Sequence, residues 1–189
     1  MLEAYVKKIL SSDVYDVAIE TPLETASFLS ARLDANILFK REDLQPIHSF
    51  KIRGAYNRIV KLSLQERERG VLAASAGNHA QGVALAASQL GIHATIVMGL
   101  NTPAIKVDAV QRLGAEVVLR GDTYDDAAQH ALKLAHEDGA TLVPPYDDPA
   151  VIAGQGTVGV EILNQHEGDP DAIFVPVGGG GLIAGIAAY

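Results

Sequence analysis

The stretch Val71-Leu72-Ala73-Ala74-Ser75-Ala76-Gly77-Asn78-His79, running on into Ala80 to Leu90, decides the fold. Its first five residues read as a short buried strand. A glycine-bearing turn follows, and residues 80–90 read as a helix stopped by Gly91. The same unit then recurs. Ala94-Thr95-Ile96-Val97-Met98 reads as the next strand, and a helix opens at Pro103, a residue favoured in the first helical turn, and ends before Gly114. Glu116-Val117-Val118-Leu119 reads as a third strand, followed by a helix from Thr123 to Glu137 that Asp138-Gly139 ends. Thr141-Leu142-Val143 is a fourth, closed by Pro144-Pro145. Strand starts at 71, 94, 116 and 141 have the spacing of successive βα units. Parallel strands need a crossover between them, usually a helix, so the pattern predicts an α/β fold with a parallel sheet flanked by helices.

Outward from this block the pattern is looser. Ile37-Leu38-Phe39-Lys40 reads as a strand and Ser49 to Leu62 as a helix. Downstream, Ala150 to Gln165 reads as a helix despite Gly154, Gly156 and Gly159, and the apolar run Asp171 to Val177 reads as a strand. The economical arrangement makes residues 52–146 a small inserted α/β domain. Residues 1–51 and 147–189 then share the sheet of a larger domain. The chain stops at Ile186-Ala187-Ala188-Tyr189 without a capping signal, which reads as a truncated end.

Composition narrows the class. Hydrophobic residues make up 48% and charged residues 20%, a globular balance, and the net charge is −8. With no Lys/Arg-rich run, a nucleic-acid surface is disfavoured. Cysteine is absent, which excludes disulfides and thiolate metal sites and suits a reducing compartment. No apolar run approaches the roughly 18 residues of a membrane span, and the start does not read as a targeting peptide. The expected compartment is the cytoplasm. His48, His79, His93, His130, His136 and His166 make no metal-binding spacing, so no metal is expected.

Three segments carry chemical interest. Lys51 stands between Phe50 and Ile52 at the start of a helix, an apolar setting that lowers an amine's pKa and makes it a nucleophile. Gly178-Gly179-Gly180-Gly181 follows an apolar run and precedes Leu182. Such a loop exposes backbone N–H groups to an anion, with a tight strand-to-helix turn as the structural alternative. Gly179, Gly181 and Ala184 also match a loose dinucleotide fingerprint, which would make the chain a nicotinamide-dependent oxidoreductase but gives Lys51 and Asn78 no role. Ser75 to His79 opens a helix, where its N–H groups suit a carboxylate and where Ser75 and Asn78 equally suit helix capping.

Together these segments resemble the fold-type II pyridoxal 5'-phosphate (PLP) enzymes. Leu44 to Tyr56 resembles the lysine segment of the biosynthetic threonine dehydratases (threonine ammonia-lyases). Ser75 to Gln81, Asp147 to Thr157 and the glycine loop follow in that family's order. The resemblance implies a tryptophan synthase β-like architecture of two open, twisted, mostly parallel sheets flanked by helices, the second incomplete here. It implies that Lys51 holds PLP covalently, that Phe50 lies against the cofactor and that Asn78 hydrogen-bonds its phenolic oxygen. Gly178, Gly179, Gly180, Gly181 and Leu182 would cradle the phosphate. Ser75, Ala76, Gly77, Asn78 and His79 would bind the substrate carboxylate. Lys51 would then take the Cα proton of L-threonine, and L-serine would undergo the same chemistry, with 2-oxobutanoate or pyruvate and ammonia as products. That reaction opens isoleucine biosynthesis. A homo-oligomer, a tetramer in the full-length family, is expected, with no nucleic acid and no membrane. Serine racemase and β-replacement enzymes share the fold and are told apart by product. The alternative reading of the piece is an inactive fragment, and little activity is expected from it alone.

Overall fold

The computed structural model describes residues 2–189. The N-terminal part contains α1 (Leu2–Leu10), β1 (Leu23–Thr25), α2 (Ser27–Leu33) and β2 (Leu38–Lys40). The middle contains α3 (Lys51–Ile59), α4 (Leu64–Arg69), β3 (Val71–Ala74), α5 (Asn78–Gln89), β4 (Ala94–Met98), α6 (Ala104–Arg112), β5 (Glu116–Leu119), α7 (Tyr124–Asp138) and β6 (Thr141–Leu142). The chain continues through α8 (Pro149–Gln165) and α9 (Gly181–Ala188).

The four regular strands form one parallel sheet in the order β5-β4-β3-β6. Val71, Leu72 and Ala73 are buried, because β3 is central and covered on both faces. One cover is α5, whose Ala80, Val83, Ala84 and Ala87 repeat at helical spacing and are all buried. The other is α7, whose Ala127 and Ala131 pack on Leu72 and Val97. Helix α3 buries Ile52, Ala55, Tyr56 and Ile59 on one stripe, each large side chain contributing about 1.5–3 kcal/mol.

Helix ends follow local chemistry. Ser63 and Glu66 form a capping box on α4, and Thr123 and Asp126 form one on α7. The Asp148 carboxylate accepts from the N–H groups of Ala150 at 2.7 Å and Val151 at 3.0 Å, starting α8 with Pro149 in its first turn. Pro103 stands just outside α6 as its N-cap rather than in its first turn.

The second sheet is reduced to an antiparallel pair, Leu23–Thr25 against Leu38–Lys40. The strand expected over 171–177 does not form, and Phe174 is 93% exposed. A strand exists only through hydrogen bonds to a neighbour, and among the described residues none pairs with this run. The sheet expected to join residues before 50 to residues after 146 is therefore not seen. Those parts meet through helices instead, α1 and α9 packing on α8. The α8–α9 approach is close. A Cβ on Gly185 would sit 2.5 Å from the Ile152 carbonyl oxygen, and one on Gly156 would sit 3.0 Å from that of Gly185. Among the described residues no helix is long and apolar enough to cross a membrane.

Candidate functional site

Strands β3 and β6 are parallel neighbours, so their carboxyl ends lie side by side. The turn 75–77 leaves one and the segment 143–148 leaves the other. Ligands of open parallel sheets bind outside this edge. Helix α3 starts beside it, with Gly82 of α5 packed so closely that a Cβ there would lie 3.2 Å from the Lys51 carbonyl oxygen.

The Lys51 ammonium donates to the Pro145 carbonyl oxygen at 2.6 Å and sits 5.4 Å from the centre of the Phe50 ring. It has no carboxylate partner among the described residues, and burial pushes its pKa down. An amine so placed reaches its neutral, nucleophilic form more readily than a surface lysine.

Facing it is the glycine loop. Phe50, Lys51, Tyr146, Gly178, Gly179, Gly180, Gly181 and Leu182 line one cavity of about 300 Å³ together with Pro176 and Val177. Gly180 adopts φ +88°, the left-handed region that favours glycine, and precedes the first turn of α9. The first N–H groups of a helix have no intrahelical acceptor, and the helix dipole favours an anion there. The amine and the glycine loop, far apart in sequence, thus share one space.

The segment 75–79 does not line this cavity. Ser75 Oγ accepts from Gly77 N–H at 3.2 Å, Ala76 and Gly77 complete the turn, and Asn78 opens α5. His79 is buried, and its Nε2 bonds the Val143 carbonyl oxygen at 2.9 Å. A carbonyl only accepts, so Nε2 carries the hydrogen. Burial lowers the His79 pKa to about 4, the Val143 bond opposing and the Lys51 charge adding to the fall. His79 is therefore a neutral, structural link between the two strand ends.

Two features escaped the sequence reading. Tyr146 stands against the glycine loop, and its only sequence signal was its place between Pro144-Pro145 and the α8 cap. Arg53 is fully buried two residues after Lys51. Its guanidinium donates to Glu42 at 2.7 and 2.8 Å, to Glu161 at 2.5 and 2.9 Å, to Thr157 at 3.1 Å and to the Ile19 carbonyl at 3.2 Å. Lys40 also pairs with Glu161, at 2.6 Å. Burial alone would lower the Arg53 pKa, but the two carboxylates outweigh it and raise it. No sequence pattern announced these partners, which come from three separate segments.

The profile of the pyridoxal-phosphate dependent enzyme family matches residues 14–189. A biosynthetic, chloroplastic threonine dehydratase of Arabidopsis thaliana is 62% identical over 185 residues, which are 98% of this chain and 31% of that protein. An L-threonine dehydratase of Burkholderia multivorans is 57% identical over 188 residues, covering 98% of this chain and 37% of its own. The chain thus spans about a third of the length of these curated relatives. The solved structure of the processed threonine deaminase isoform 2 from Solanum lycopersicum matches with TM-score 0.96 and 58% identity, over 99% of this chain and 51% of that one. Maize serine racemase matches with TM-score 0.92 and 35% identity, over 98% and 56%.

Proposed function

Because the chain belongs to the pyridoxal-phosphate dependent enzyme family, we propose that it serves a lyase that converts L-threonine, and L-serine, to 2-oxobutanoate or pyruvate and ammonia, the entry step of isoleucine biosynthesis. One observation carries the reading: the partly desolvated Lys51 amine and the glycine loop line the same cavity. The residues fit a cofactor bearing an aldehyde and a phosphate, since a nucleophilic amine and free helix-start amides are what such a group needs. When bound, PLP supplies an electron-withdrawing ring that stabilises negative charge at the substrate Cα.

The chain's own residues divide the remaining work. We assign Lys51 to hold the cofactor and to take the proton from the substrate Cα at its Nζ, as a general base. Phe50 forms an apolar wall beside it. Gly178, Gly179, Gly180, Gly181 and Leu182 receive the phosphate. Ser75, Ala76, Gly77, Asn78 and His79 offer the turn and helix start that suit a substrate carboxylate, and Asn78 adds a side-chain donor toward the cofactor. His79, neutral at pH 7, acts there through its backbone.

The wider reading follows the same lines. Residues 52–146 serve as an inserted α/β domain, supported by a parallel sheet that lies wholly between Val71 and Leu142. Residues 1–51 and 147–189 belong to a larger PLP domain. The assembly is a homo-oligomer. The cytoplasm is the proposed compartment; a cysteine-free chain suits it, while the printed names of plant and yeast relatives point to the chloroplast and the mitochondrion.

Adding PLP to the chain and to Lys51→Ala, and recording visible absorbance, tests the cofactor role. A band present in the first and lost in the second is expected; no band, or the same band in both, overturns it. Product analysis then separates 2-oxobutanoate from D-serine, the outcome a racemase would give.

A further inference from the structure

Tyr146 joins the two sides of the cavity. One residue before it, the Pro145 carbonyl accepts from the Lys51 amine at 2.6 Å. Two residues after it, Asp148 caps α8 and pairs with Arg58 at 3.1 Å. Tyr146 is therefore anchored on both flanks. Its ring stands against Gly179, where a Cβ would overlap the ring carbons. Its backbone stands against Gly181, where a Cβ would come within 2.9 Å of the Tyr146 carbonyl oxygen. Gly178 and Gly180, by contrast, border open space. Tyr146 is thus the anchored surface on which the loop rests.

We propose that Tyr146 is a positioning residue for the phosphate, its ring holding the glycine loop in receiving shape before the anion arrives. This inference rests on the PLP reading. Glycine loses more conformational freedom on ordering than any other residue. A loop of four glycines free in solution would charge that entropy against cofactor affinity, whereas a loop already seated on an aromatic surface does not. The phenolic hydroxyl has no hydrogen bond among the described residues, so the ring, not the hydroxyl, is the acting group.

The test uses two ligands that differ only in the phosphate. Wild type, Tyr146→Ala and Tyr146→Phe are titrated with PLP and with pyridoxal, following visible absorbance. In Tyr146→Ala, PLP should bind weaker by on the order of tenfold, the equivalent of ordering about one more backbone residue on binding. Pyridoxal affinity should stay unchanged, because the Lys51 side of the cavity is intact, and Tyr146→Phe should behave as wild type. If Tyr146→Ala does not fold, Tyr146→Leu provides the same comparison. Equal losses for both ligands, or no loss for PLP, overturn the positioning role. A wild type that gives no band with either ligand overturns the cofactor reading along with it.

Discussion

The two walls of the cavity are built by opposite means. The wall bearing Lys51 is backed by α3, α5 and α8, with Ile52, Arg53 and Ala55 fully buried behind it. The other wall is formed by residues 176–182, loop up to the start of α9, with Val177 61% exposed and Phe174, just before the wall, 93% exposed. The first wall rests on a packed core and holds its amine through the Pro145 carbonyl and the Phe50 ring, while the second depends on Tyr146 and on the start of α9. A reactive lysine requires the first arrangement, since a lowered pKa persists only where water is kept away. An anion cradle tolerates the second, since its donors are backbone amides that any well-placed turn supplies.

The contrast breaks most severely at Arg53. Replacing it with Met keeps much of the volume but leaves Glu42 and Glu161 facing each other with only Lys40 to balance them. Removing one member of a buried charge group typically costs about 3–5 kcal/mol. Arg53→Met should lower the unfolding free energy by that amount in urea titration. Adding Glu42→Gln to it should recover part of the loss, because Glu42, unlike the Lys40-paired Glu161, is the carboxylate left without a cation. A change under about 1 kcal/mol for Arg53→Met would mean that the first wall is not held by this network.

How legible this was in the sequence divides along the same line. The βα spacing from Val71 to Leu142 announced its sheet because each strand finds its partner one unit away. Lys51 and the glycine loop were legible as chemical types, and their order resembled a known family. Phe174 shows the limit: Asp171 to Val177 has a strand's composition, yet pairing is a property of the neighbour and not of the run itself. Arg53 and Tyr146 were silent for a related reason. Their meaning lies in contacts with residues 11 to 108 positions away, and no local period encodes those.

A smaller effect on the first wall comes from His79. Its folded pKa of about 4 lies below the ordinary 6.5, so between these values the unfolded chain binds more protons than the folded one. Stability from this group is complete above about pH 6.5 and is lost as pH falls through that window toward 4, in total about 3 kcal/mol. Urea midpoints at a series of pH values should therefore fall more steeply for wild type than for His79→Gln, which retains a donor for the Val143 carbonyl. Parallel pH profiles for the two proteins would show that His79 is not held neutral by burial.

The smallest expected effect lies in the loop that leads into the second wall. A buried phenylalanine cut to a small residue costs about 3–5 kcal/mol, because transfer energy and a cavity are both lost. Phe174 has almost no burial to lose, so Phe174→Ser should move the unfolding free energy by no more than about 0.5 kcal/mol in either direction. Leu72→Ser, placed at the centre of the parallel sheet, supplies the contrasting case with a loss of several kcal/mol, since it removes a buried side chain and leaves a hydroxyl in its place. A Phe174→Ser penalty approaching that of Leu72→Ser would erase the distinction between the walls, because it would mean that residues 171–177 are packed in solution as firmly as the sheet.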